Sequence, residues 1–190
     1  MPKKEGLNLA NKITMVRVIC VPFFIAAIIY GKHELALFIF MIAVISDGAD
    51  GFVARALKQK TVLGTILDPV ADKLLLLSAY ICLSMASSVP THLKLPPYVP
   101  IIVISRDVII VLGSVIVYVV TGKLNIAPSA VGKTTTFFQM ITILLILLQF
   151  KYSFVAWNLA VLFTLISGVD YIIKGSRLFG ESHSLIKKVV

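Results

Sequence analysis

The sequence predicts an all-α integral membrane protein: a six-transmembrane-helix bundle, with a possible short amphipathic helix at the N-terminus. Three observations carry this. The 190 residues are 58% hydrophobic and only 14% charged, with a mean hydropathy of +0.98. Soluble domains run nearer half apolar and a quarter charged. The apolar residues fall into six runs, each close to the roughly 20 residues that a helix needs to cross the hydrocarbon core. The breaks between the runs hold Gly, Pro and polar groups, which end helices for identifiable reasons.

The six runs fall near 14–30, 34–56, 67–88, 98–121, 134–150 and 153–174. The first is too long for a secretory leader and lacks a small-residue cleavage site, so it reads as a retained span. Pro22 within it is expected to kink the helix. Ahead of it, "MPKKEGLNLANK" reads equally as a short basic helix on the membrane surface or as a disordered tail. "GKHE" (31–34) separates spans one and two, and "SSVPTHLKLPPY" (87–98) separates three and four. "TGKLNIAPSAVGK" (121–133) precedes the fifth span. Tyr152 and Trp157, near the start of the sixth, read as interfacial anchors. Phe137 and Phe138 read as packing residues, and His33, His92 and His183 as loop or tail residues rather than ligands. No polar linker, low-complexity segment or internal repeat divides the chain, so 1–190 is expected to be one domain.

Six spans place both termini on one side. Of 18 Lys and Arg residues, 14 flank spans on the terminus side and only Lys32, Lys94 and Lys151 lie on the other. The remaining one, Arg106, lies within span four. This bias predicts cytoplasmic termini. It also accounts for the net charge of +9 through anionic lipid rather than nucleic acid. Cys20 and Cys82 both fall within apolar runs and imply no disulfide framework.

The chemistry concentrates in "DGADGFVAR" (47–55) and the residues that follow. Four of the nine acidic residues, Asp47, Asp50, Asp68 and Asp72, lie within 26 positions. Asp47, Asp50, Gly51 and Ala54 are spaced i, i+3, i+4 and i+7, one face of a helix, and Asp68 and Asp72 are spaced i and i+4. Spans two and three are antiparallel, so the two pairs are expected to meet near the cytoplasmic ends, joined by a short turn containing Gly64. Four carboxylates at low dielectric repel one another strongly. One arginine, Arg55, does not offset them. Oxygen ligation without His or Cys selects hard ions, Mg²⁺ or Mn²⁺. A pair of such ions clamps a phosphoryl-type displacement. The small residues Gly51, Ala54 and Gly64 permit close helix packing or leave room for a ligand. Isolated polar residues in spans often only hydrogen-bond across helices, but four on matched faces exceed that need. A divalent-metal transporter is the rival outside enzymes; it predicts carboxylates spread along a pore rather than gathered at one depth.

The pattern Asp47-x-x-Asp50-Gly51-x-x-Ala54-Arg55, then Gly64-x-x-x-Asp68-x-x-x-Asp72, resembles the signature of the CDP-alcohol phosphotransferase family at all eight fixed positions. The resemblance implies six transmembrane helices, a homodimer, two divalent ions and transfer of a phosphatidyl group from CDP-diacylglycerol with loss of CMP. It makes Asp47, Asp50 and Asp68 metal ligands, and Asp72 both a ligand and the general base. It places Asp50, Gly51, Ala54, Arg55 and Gly64 at the CDP site. An alcohol nucleophile at neutral pH does need such a base.

Further stretches are similar to the phosphatidylglycerophosphate synthases of this family: "NLANKITMVRVICVPFF" (8–24), "LDPVADK" (67–73), "SAVGKTTTFFQM" (129–140) and "SGVDYIIKG" (167–175). They imply sn-glycerol 3-phosphate as the acceptor. Arg106 and Lys133 are then candidate acceptor-binding cations, beside the plainer readings of an Arg106–Asp107 pair within the bundle and a positive-inside flank. "SRDV" (105–108) instead resembles the cardiolipin synthases, whose acceptor is phosphatidylglycerol. The expected location is the bacterial cytoplasmic membrane, with the active site facing the cytoplasm and membrane lipids as the surroundings.

Overall fold

The computed structural model describes the backbone of residues 9–57, 62–121 and 130–189, and the side chains of 15–46, 71, 73–113, 115–116 and 131–174. Six helices account for nearly all of it: α1 (Leu9–Ile29), α2 (His33–Leu57), α3 (Val62–Met85), α4 (Tyr98–Thr121), α5 (Ala130–Leu147) and α6 (Ser153–Val189). No strand occurs among the described residues.

Helix positions follow the six apolar runs, with differences at the ends. The helix α1 begins at Leu9 rather than near 14, so part of the N-terminal segment is continuous with the first apolar run. The rest of that segment, residues 1–8, lies outside the described residues. Gly64 lies inside α3, not in the α2–α3 turn, because α3 starts five residues earlier than hydropathy alone indicates. Polar residues there end an apolar run without ending a helix. For the same reason α6 continues from Lys174 to Val189.

Two turns close by the same device. Gly31, at φ +69°, ends α1: its N–H bonds Ile28 O at 3.0 Å and the Lys32 N–H bonds Ala27 O at 2.8 Å. This is the Schellman arrangement, which needs a left-handed residue after the helix. Gln149, at φ 56°, ends α5 with matching bonds from Gln149 N to Ile146 O and from Phe150 N to Leu145 O, both 2.9 Å.

The helices pack as two units. The first holds α1, α2, α3, the connection 86–95 and residues 143–151. In it α1 packs against both α2 and α3. Phe24 and Phe40 meet across α1 and α2 with ring centroids 6.1 Å apart, and both are fully buried. Ser88 fastens the connection: its hydroxyl donates to Ile28 O, and His33 Nε2 lies 3.1 Å from Ser88 O. His33 therefore has a structural task at the start of α2.

The second unit holds α4, α5 as far as Thr142, and α6. A polar seam runs through it. Gln139 Nε2 donates to Thr164 Oγ1 at 3.2 Å, and Thr135 Oγ1 donates to Phe163 O at 3.0 Å. Both Gln139 and Thr135 are fully buried. Interhelical hydrogen bonds of this kind join helices where hydrophobicity cannot distinguish neighbour from lipid. Phe138 stacks on Phe163 at 4.5 Å, whereas Phe137 is exposed. Where α4 meets α6, Tyr171 donates to Ile110 O at 2.9 Å with its ring against Gly113. Trp157 is buried, so its anchoring role is corrected to a packing one; Tyr152 is exposed.

The outward faces are apolar: Ile19, Phe23, Phe38, Ile45, Ile101, Val111, Leu162 and Val169 are each more than half exposed. Such surface is costly in water and ordinary against lipid. Among the described residues, Ser153–Lys174 is the one helical stretch long and apolar enough to cross a membrane. Met15–Ile29, His33–Ser46, Lys73–Met85 and Val131–Leu147 are shorter apolar helical stretches.

Candidate active site

The aspartates divide between two helices of the first unit. Asp47 and Asp50 lie in α2 with Gly51, Ala54 and Arg55; Asp68 and Asp72 lie in α3 with Gly64. Their side chains are outside the described residues, and their placement follows from helical register. Ala36, Phe40 and Ala43 form the buried stripe of α2, advancing by four and then three residues. The next steps on that stripe are Asp47, Asp50 and Ala54. In α3, Leu83, Ala79 and Leu76 are buried, and Ala71 is too. Stepping back from Leu76 by four and four reaches Asp72 and Asp68. Both aspartate pairs thus occupy positions that continue the interior faces of their helices, with α1 packed against each helix.

The corresponding stripe of α1 is Arg17, Phe24 and Ile28. Arg17 is 1% exposed, the bulkiest of the fully buried side chains among the described residues. The sequence reading counted it among the cations flanking the first span and within the family-like stretch 8–24, and gave it no interior role. Its separation of two helical turns from Phe24 was the signal that it belongs to the interior.

Arg106 lies in α4 of the second unit, 7% exposed. Its Nη1 donates to Asp107 Oδ1 at 2.8 Å and its Nη2 donates to Ser167 Oγ in α6. Gly168 lies beside the Arg106 stem, where an added Cβ would stand 3.8 Å from Arg106 Cγ, an ordinary contact. The expected Arg106–Asp107 pair is present, and Ser167 is a partner the sequence did not reveal. Lys133 stands in the first turn of α5 and is exposed. His33 is engaged with Ser88.

Among the described residues, no group of three His, Cys, Asp or Glu side chains could hold a metal. The side chains of the four aspartates lie outside that set. Their chemistry is all-oxygen and anionic, which suits Mg²⁺ or Mn²⁺.

The CDP-alcohol phosphatidyltransferase family matches residues 7–166, and the chain belongs to that family. It is 34% identical to the "probable phosphatidylglycerophosphate synthase" of Mycobacterium tuberculosis, over 91% of this chain and 84% of the relative. It is 32% identical to the "CDP-diacylglycerol--glycerol-3-phosphate 3-phosphatidyltransferase" of Bacillus subtilis, over 88% of this chain and 94% of the relative. A protein of the same description from Aquifex aeolicus is 27% identical over 90% and 98% of the two chains.

Proposed function

We propose that this protein transfers the phosphatidyl group of CDP-diacylglycerol to sn-glycerol 3-phosphate, giving phosphatidylglycerophosphate and CMP. The observation that carries the reading is the eight-position signature, which α2 and α3 of the first unit carry between them. Relatives whose descriptions specify this reaction match almost their full length.

In this reading an acceptor hydroxyl attacks the phosphatidyl phosphorus. The bond from that phosphorus to the bridging oxygen breaks, and CMP departs with that oxygen. Asp72 accepts the hydroxyl proton. Asp47, Asp50, Asp68 and Asp72 would hold two divalent ions, whose charge would offset that of the pyrophosphate and of the leaving group. Gly51, Ala54 and Gly64 keep the CDP site open, and Arg55 contributes a cation there. Arg106 and Lys133 are the acceptor-binding candidates. All six helices span the membrane with both termini and the active site cytoplasmic, in the bacterial cytoplasmic membrane, and the protein works as a homodimer.

The Arg106-Asp107 pair favours one alternative, phosphatidylglycerol as the acceptor. A partial relative in Schizosaccharomyces pombe, 32% identical over 58% of this chain, is described as a cardiolipin synthase fused to a hydrolase. The test is CMP release by purified protein given CDP-diacylglycerol and, separately, glycerol 3-phosphate, phosphatidylglycerol, serine or inositol. Release with glycerol 3-phosphate alone is expected. Release with phosphatidylglycerol alone overturns the acceptor. No release with any acceptor, alongside Mn²⁺ uptake into proteoliposomes, makes the protein a transporter.

A further inference from the structure

Arg17 is a guanidinium buried in an apolar unit, and a buried charge must be compensated by a partner of opposite sign. Its helix fixes where that partner lies. The helices α1 and α2 are antiparallel neighbours joined by the three residues Tyr30–Lys32. Phe24 and Phe40 set their register, because these two rings meet across the interface. Moving two turns from each, away from the connection, leads from Phe24 to Arg17 and from Phe40 to Asp47. Seven residues return a helix to the same face with a drift of only about 20°. Arg17 and Asp47 are therefore register partners, one layer beyond the phenylalanine pair. The burial pattern agrees independently. Arg17 ends the stripe Ile28–Phe24–Arg17, and Asp47 follows the stripe Ala36–Phe40–Ala43. A helical side chain also leans toward its own N-terminus, which aims Arg17 away from the connection and toward the aspartate level of α2.

We propose that Arg17 is the built-in counter-cation of the carboxylate cluster, a positioning residue that pairs with Asp47 and keeps the metal-free site folded. This rests on the reading of the four aspartates as a metal site. A cluster of four carboxylates has no divalent ions when it is first made or after they dissociate. A fixed arginine lowers the self-repulsion of that state without occupying the ion positions. Arginine suits the task better than lysine, since its fork can hold a carboxylate through two bonds and it is always charged.

The experiment compares thermal unfolding of detergent-purified protein in EDTA and in Mg²⁺ alone, for wild type, Arg17→Gln and Arg17→Lys. Loss of the cation makes the metal-free cluster more negative. Arg17→Gln should thus unfold about 5–10 °C lower in EDTA. Mg²⁺ should recover most of that loss, so its stabilising shift is larger in Arg17→Gln than in wild type. Arg17→Lys should keep a shift near the wild-type one. Equal losses in EDTA and in Mg²⁺, or no loss at all, overturn the proposal and leave Arg17 a packing residue. If Arg17→Gln does not fold, the double variant Arg17→Gln/Asp47→Asn should fold again in EDTA; failure to recover overturns the pairing. A wild-type protein that Mg²⁺ does not stabilise would instead sink the metal reading itself, and the arginine's role with it.

Discussion

Arg106 of α4 and Ser167 of α6 are bonded across the interface of their two helices, with the guanidinium Nη2 2.5 Å from the serine oxygen. The Nη1 nitrogen is taken by Asp107. Two of the three guanidinium nitrogens are thus committed within the protein, and the side chain is almost entirely buried. We expect Arg106→Gln to lower stability by about 3 kcal/mol, the scale for breaking a buried charge pair. KM for glycerol 3-phosphate should move less than in Lys133→Ala, because Lys133 is the exposed cation. Thermal unfolding and acceptor titration check both. A raised KM at unchanged stability in Arg106→Gln would place that arginine on the acceptor.

The helix-ending turns give a second prediction. Gly31 and Gln149 occupy equivalent left-handed positions, but only glycine does so without cost. Gln149→Gly should stabilise the protein by roughly 0.5–1 kcal/mol, and Gly31→Ala should destabilise it by a similar amount. An added Gly31 Cβ would stand 3.6 Å from Ser88 Cβ, an ordinary contact, so the expected loss comes from the backbone. Opposite shifts in unfolding temperature are the outcome to look for; shifts of the same sign would contradict it.

Much of this was legible in the sequence, for physical reasons that differ by residue. Apolar runs mark helix middles well, since burial and lipid contact both demand them. They mark ends poorly where a helix continues through polar residues, as at Gly64 and beyond Lys174. The four aspartates were legible because charge is conspicuous in an apolar run and their spacing is helical. The interior place of Arg17 was not legible because a cation near a span end has two meanings, flank or interior partner. Only the burial of Phe24 and Ile28 on the same stripe separates them. Ser167 and the Gln139–Thr164 bond were not legible, since pairing across helices depends on which helices become neighbours.

The metal reading predicts that Asp68→Asn, which removes a charge but keeps size, loses both Mg²⁺-dependent stabilisation and turnover. Mg²⁺ titration of activity and of unfolding temperature measures these together. Near-normal turnover at modest Mg²⁺ would leave the two-ion site without support.

Gly51 tests the space for ligand. It adjoins Asp50 in α2 and has no side chain of its own. Gly51→Leu is expected to fold with a near wild-type unfolding temperature yet fail to bind CDP-diacylglycerol. If the variant instead unfolds early, the glycine serves helix packing.

Asp72 separates the base from the ligands. It lies one turn beyond Asp68 in α3, so the two positions share a helix face. A general base contributes about 10²–10⁴-fold to rate, mainly through the transition state. Asp72→Asn should therefore still bind CDP-diacylglycerol in Mg²⁺ while kcat falls at least about a hundredfold. Asp68→Asn should lose the Mg²⁺ response as well. Substrate binding by equilibrium titration, set beside single-turnover CMP release, distinguishes the two variants. If Asp72→Asn loses Mg²⁺ stabilisation and substrate binding as fully as Asp68→Asn, then Asp72 acts only as a metal ligand, and the proton goes to another group.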